Sequence, residues 1–186
     1  MTRRRMASLA VLAAVCCLSC SDDVSVETVN VLSEKEMCSS AFLTTAMCPV
    51  VIRASGNRSA RGVEGFSHKW GHRYTLTVRV EKAPDNLADA PAEFLRLVTV
   101  TGETTVSPGR EFNLRLRPIV VVEWDEGAGT GILGNPPKAF RVTDPAVRQA
   151  LSAALQGPEE DQFETTLEYG DPITSDLLMT DVLSSE

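Results

Sequence analysis

Tyr74-Thr75-Leu76-Thr77-Val78-Arg79-Val80 alternates without a fault. In an extended chain Tyr74, Leu76, Val78 and Val80 share one face, and Thr75, Thr77 and Arg79 share the other. That is the period of two of a strand with one buried side. On a helix the same residues would be scattered around the axis, so this stretch predicts β structure. The flanks agree. Val50-Val51-Ile52 follows Pro49 as a short apolar run, and Phe94 to Thr101 reads as a second strong strand. Ser107-Pro108-Gly109 is a turn, after which Phe112, Leu114 and Leu116 alternate with Asn113, Arg115 and Arg117.

Further along, Pro118 marks an edge or bulge. Ile119 to Trp124 continues as a more buried strand, Gly127 to Pro137 reads as a long loop, and Ala139 to Val142 as a short strand. One helix is well signalled: Thr143 or Asp144 caps it and Pro145 lies in its first turn. Val147, Ala150, Leu151, Ala154 and Leu155 then share a face, and Gly157-Pro158 ends it. Phe163 to Tyr169 is a last strand. The expected fold is therefore mainly β, a small antiparallel barrel or sandwich, with an OB-like barrel as one form of it.

The chain has 186 residues, a length for one domain with tails, and a hydrophobic share of 43% that suits a globular core. Its net charge of −7 argues against a general nucleic-acid binder, which needs a basic face against phosphate. Charge is segregated, however. Residues 51–82 hold seven basic side chains against Glu64 and Glu81, whereas residues 149–186 hold nine acids and no base. Such asymmetry signals a partner or self-docking. Arg53, Arg58, Arg61, Lys69, Arg73 and Arg79 are the candidate partner surface, facing an envelope protein or an anionic surface. The acidic residues from 171 to 186 read as a solvated tail or a short helix after Ser175.

The N-terminus carries an address. Arg3, Arg4 and Arg5 precede a run from Ala7 to Leu18 that is apolar apart from Ser8. About 12 residues make roughly 18 Å of helix, short of a ~30 Å hydrocarbon core and right for the apolar region of a signal peptide. No later run is long enough to span. The apolar region ends in Cys17-Leu18-Ser19-Cys20. This resembles the lipobox of bacterial lipoproteins, with Cys17 standing where leucine is usual. The resemblance covers the first 20 residues and implies that 1–19 are removed and that Cys20 becomes an acylated mature N-terminus. The mature charge would then be −10, with residues 20–32 a tether and 33–170 a single β-rich domain.

Cys38 and Cys48 remain, and in an exported chain two leftover cysteines usually pair. Ser33-Glu34-Lys35-Glu36 reads as a capping box, and Met37, Cys38, Ala41 and Phe42 recur at helical spacing. An unbroken helix would hold the two cysteines about 15 Å apart, whereas a disulfide needs under about 7 Å. The expectation is a short helix over 34–43 that turns back so that the bond closes.

The remaining motifs are weak. His68 and His72 are spaced for a helical zinc pair, but Gly65 and Gly71 flank them; extended, they stand about 13 Å apart. Gly65-Phe66-Ser67-His68-Lys69 nearly spells a nucleophile elbow, with lysine in place of the second glycine. Gly129 to Gly134 matches GxGxxG, yet Asn135-Pro136-Pro137 prevents the helix that a dinucleotide site requires. It reads as a hairpin loop. With Glu123, Asp125 and Glu126 just before it, calcium is the alternative. No catalytic residue, metal or cofactor is called for. The expected function is a membrane-anchored, non-enzymatic lipoprotein of the bacterial envelope that acts as a binding or assembly module. The alternatives are a carrier of an apolar ligand in a β-barrel and a small exported hydrolase using the His68/His72 loop.

Overall fold

A computed structural model describes residues 24–38, 46–83, 92–171 and 176–184. The strands are β1 (Val24–Met37), β2 (Met47–Arg53), β3 (Arg58–Ala60), β4 (His72–Lys82), β5 (Glu93–Thr105), β6 (Glu111–Leu116), β7 (Val121–Asp125), β8 (Thr130–Leu133) and β9 (Lys138–Arg141). A helix, α1 (Pro145–Leu155), precedes β10 (Phe163–Tyr169) and β11 (Leu177–Ser184). They form two sheets, one in the order β3-β2-β1-β4-β5 and one in the order β6-β10-β11-β9-β8-β7. The first is antiparallel throughout, and in the second only β11 and β9 run parallel. The fold is mainly β and sandwich-like, with no closed barrel among the described residues.

The alternation in 74–80 does what it predicts. Tyr74, Leu76, Val78 and Val80 are buried, and they join Val29, Val31, Val51 and Leu95 in the core of the first sheet. Val63 and Phe66, from the segment after β3, close over that core. A second and larger core lies between the second sheet and α1, built on Leu116, Phe140, Leu151, Leu167 and Tyr169. Met47, with Met37 and Trp70 beside it, packs into this second core, so the two sheets are joined through the end of the β1–β2 pair. The backbone joins them too, as Met47 N–H donates to the Asn135 carbonyl at 3.2 Å.

The helix near 144–156 is as expected. The Asp144 carboxylate accepts from the Ala146 N–H at 2.7 Å, Pro145 opens the first turn and Leu151 is fully buried. Four local expectations are corrected. Residues 34–37 are the end of a 14-residue strand and do not begin a helix. Val29, Val31, Ser33 and Lys35 are buried at a period of two, and the pairing of Lys35, Glu36 and Met37 with β2 outweighs a capping signal worth about 1 kcal/mol. The part of the expected helix over 39–43 lies outside the described residues. The tether expected over 20–32 is strand from Val24 onward, because β1 pairs with β4 from Val24↔Glu81.

The expected acidic tail or helix is strand over Leu177–Ser184, lying between β10 and β9, with Leu177 and Met179 buried. The expected loop 127–137 contains β8, which pairs with β7 on one side and β9 on the other. The turn between β7 and β8 needs glycine at Gly129: φ is +65°, and a Cβ there would stand 2.5 Å from the Val142 carbonyl oxygen.

Candidate functional site

Antiparallel pairing across the β1–β2 hairpin sets Glu36 opposite Cys48 and Met37 opposite Met47. Cys38 is the next residue along, and its N–H donates to the Ala46 carbonyl at 3.0 Å. That places the cysteine Cα atoms 5.0 Å apart, and Cys38–Cys48 is a disulfide. The expected pair is present, held by a strand hairpin where a turning helix was expected. Cys20 lies outside the described residues.

The six basic candidates divide into two groups. Arg53 lies between Glu27 (2.7 Å) and Glu93 (2.5 Å), and their carboxylates raise its pKa. Arg58 makes a two-pronged pair with Glu36, and Arg61 donates to the Glu93 carbonyl oxygen. Arg53 and Arg58 are thus neutralised by acids of β1 and β5, which the sequence separates from them by tens of residues, while Arg61 is held by a backbone carbonyl. Lys69, Arg73 and Arg79 are exposed. Arg73 and Arg79 stand on the outer side of β4, opposite its buried face.

A polar seam sits where β1 bends. Val31 pairs with Val51 and Lys35 with Pro49, so β1 carries two extra residues against β2. Ser33 and Lys35 are buried there, and Ser33 Oγ donates to Glu34 at 2.8 Å. The Gly71 N–H donates to the Ser33 carbonyl at 2.9 Å, which ties the 61–71 segment to the bend. Burial lowers the Lys35 pKa, and no carboxylate among the described residues lies within ion-pair distance of it. His68 is 8% exposed. Its Nε2 lies 2.7 Å from the Leu32 carbonyl, and its ring packs edge-on against Phe66 and Tyr74. Burial pushes its pKa down to about 4, with the nearby Lys35 charge adding to that. The imidazole is therefore neutral at pH 7, with Nε2 carrying the proton that Leu32 accepts.

Tyr169 reaches the same seam from the second sheet. Its ring stacks on Phe112 at 4.7 Å, and burial raises the hydroxyl pKa. The hydroxyl faces Ser33 and the Gly71 backbone, and His68 faces the His72 backbone, but neither the hydroxyl nor His68 Nδ1 makes a hydrogen bond of good geometry among the described residues. Removing the hydroxyl leaves little unsatisfied behind, because Ser33 Oγ already donates to Glu34 and the Gly71 N–H to the Ser33 carbonyl. Tyr169→Phe is therefore expected to leave stability unchanged or raise it by up to about 1 kcal/mol, read by chemical denaturation. A loss well above 1 kcal/mol would show that the hydroxyl does hold a partner.

The histidines do not form one site. His68 is in the core, while His72 Nδ1 contacts Glu103 at 2.9 Å across β4 and β5. Ser67 is exposed and its neighbour His68 buried, so the near-elbow does not bring a hydroxyl to an imidazole. The glycine-rich segment is the β7–β8 hairpin; there the Asp125 carboxylate accepts from Ala128 N–H at 3.0 Å, and Glu126 accepts from Ser152 at 2.8 Å. Gly131 lies against the Phe140 ring, where a Cβ would stand 2.4 Å from Cζ. Its smallness serves packing. A cleft of about 420 Å³ opens between the sheets beside Glu36, Arg58, Arg115 and Glu164, but those charges are spent in the pairs Arg58–Glu36 and Arg115–Glu164 (2.6 Å). A shallow groove of about 340 Å³ runs between α1 and the β10–β11 pair, walled by Ala150, Ala154, Gly157 and Phe163.

No family model, no curated protein and no solved structure matches this chain.

Proposed function

We propose that this is an exported lipoprotein of the bacterial envelope, whose β domain is held at a membrane by acylated Cys20 and works as a non-enzymatic binding or assembly module. The observation that carries the reading is the run from Arg3 to Cys20: three arginines, about 12 apolar residues and Cys17-Leu18-Ser19-Cys20. Two features support it. Cys38–Cys48 is a disulfide across a hairpin, the bond that an oxidising compartment preserves. The residues with chemical potential are put to structural use, with His68 in the core, Arg53 between two carboxylates and the glycine-rich hairpin packed on Phe140. Exposed Lys69, Arg73 and Arg79 leave an anionic partner as the best match for the open surface.

Cys20→Ser tests the anchor. In the native host the wild-type protein is expected in the membrane fraction, released by detergent and not by salt, while the variant leaves that fraction. Equal distribution of the two would overturn the lipoprotein reading. The carrier alternative has the weaker footing, because the described strands form two open sheets and, among the described residues, no barrel to hold a ligand.

A further inference from the structure

The valines at the start of β1 change phase. Val24 and Val26 occupy even positions, and Val29 and Val31 odd ones. A strand that alternates strictly must put the two pairs on opposite faces. Val29 and Val31 are buried in the core of the first sheet, while Val24 is 47% and Val26 62% exposed. The pairing carries this outer face across three strands. Val24 stands opposite Glu81 and Glu81 opposite Phe94; Val26 stands opposite Arg79 and Arg79 opposite Arg96. Directly paired residues project from the same side of a sheet, so Val24, Val26 and Phe94 share one corner of it with Arg79, Arg96 and Glu81. Phe94 is 37% exposed. Glu81 lies 4.0 Å from Arg79 and 3.8 Å from Arg96, and Arg96 also pairs with Glu64 at 3.1 Å.

The chain outside the structure says what covers this corner. Cys20 precedes Val24 by four residues. Four peptide steps span at most about 14 Å when fully extended. A lipid on Cys20 therefore keeps Val24 within about that distance of the headgroups, whatever path the intervening residues take. A long tether would let the domain drift away from the membrane, whereas four residues keep the start of its first strand beside it. We propose that the outer corner of the first sheet around Val24, Val26 and Phe94 rests on the surface of the bilayer that holds the lipid anchor. Val24, Val26 and Phe94 enter the interfacial layer, and Arg79 and Arg96, which share Glu81, stand beside them at the headgroups. This rests on the lipoprotein reading and adds an orientation to it: the second sheet and α1 are turned away from the bilayer.

The test uses the mature acylated protein, its mass verified, reconstituted in vesicles of phosphatidylcholine and phosphatidylglycerol. Val26→Cys and Val122→Cys each carry an environment-sensitive fluorophore. Val122 is 54% exposed on β7, in the second sheet, and serves as the reference. Nitroxide on the lipid headgroups is expected to quench the label at 26 at least twofold and to leave the label at 122 nearly unchanged. Adding Arg79→Glu is expected to weaken the quenching at 26. Equal quenching at the two positions in verified acylated protein would overturn the orientation and leave the anchor standing. A mature protein without acyl mass would overturn both, and the mass spectrum shows which of the two has happened.

Discussion

Replacing Cys38 and Cys48 together by alanine is expected to lower the stability of the domain by about 3 kcal/mol. The bond links residues ten apart in sequence. Closing a loop of that size removes chain entropy from the unfolded state worth about 3 kcal/mol at 25 °C. The hairpin pairings next to the bond survive the substitution, so the loss falls mainly on the unfolded side of the equilibrium. Met37 and Met47, each the residue just before a cysteine, pack into the second core, so loosening the hairpin end also loosens the join between the sheets. Urea denaturation of the oxidised protein, the reduced protein and the double variant provides the check. Reduced wild type and the variant should show the same midpoint, well below the oxidised one. Coincident midpoints for all three would mean that the bond constrains nothing that folding orders.

The second large effect is a pH dependence seated at His68. Its pKa is lowered from the ordinary 6.5 to about 4 in the folded protein. The unfolded chain therefore binds a proton between these values that the folded one does not, and stability falls as pH falls through that window. A shift of that size corresponds to about 3 kcal/mol, present in full above pH 6.5 and lost progressively down to about pH 4. His68→Gln keeps a donor for the Leu32 carbonyl and removes the titration. The difference in stability between wild type and this variant should shrink or reverse between pH 7 and pH 4, because paired carboxylates titrate alike in both proteins. A difference independent of pH would mean that the ring protonates in the fold without penalty.

The sequence made the strands legible where one face is buried and the other wet. The alternation over 74–80 and 112–116, the bounds of Phe163–Tyr169 and the capped helix at Asp144 all follow from local chemistry. The start of β1 was hidden because its valines change face between Val26 and Val29, which breaks the alternation that marks a strand. The capping box at Ser33 was misleading for a related reason: the two extra residues of β1 fall there, and Ser33 and Glu34 bond to one another in a bend. The last strand was hidden by its charge. Its one acid, Asp181, is exposed while Leu177 and Met179 are buried, and a net-charge reading over 149–186 averages the strand with the acids around it.

The candidate site was legible only in part. The exported context, with Cys38 and Cys48 the two cysteines left over, pointed to their bond. The neutralisation of Arg53 and Arg58 could not be seen, since Glu27, Glu36 and Glu93 reach them only through sheet pairing. The seam of Ser33, Lys35, His68 and Tyr169 was missed outright. Its one local sign is a lysine in phase with buried Val29 and Val31, on a strand whose inward side should carry no charge.

The intact mass of the mature protein from its own host, before and after reduction, tests the central claim most directly. A chain that begins at Cys20, carries added acyl mass and gains two hydrogens on reduction is the predicted species. A chain that begins elsewhere without acyl mass would contradict the anchor, and with it the placement of the domain at a membrane.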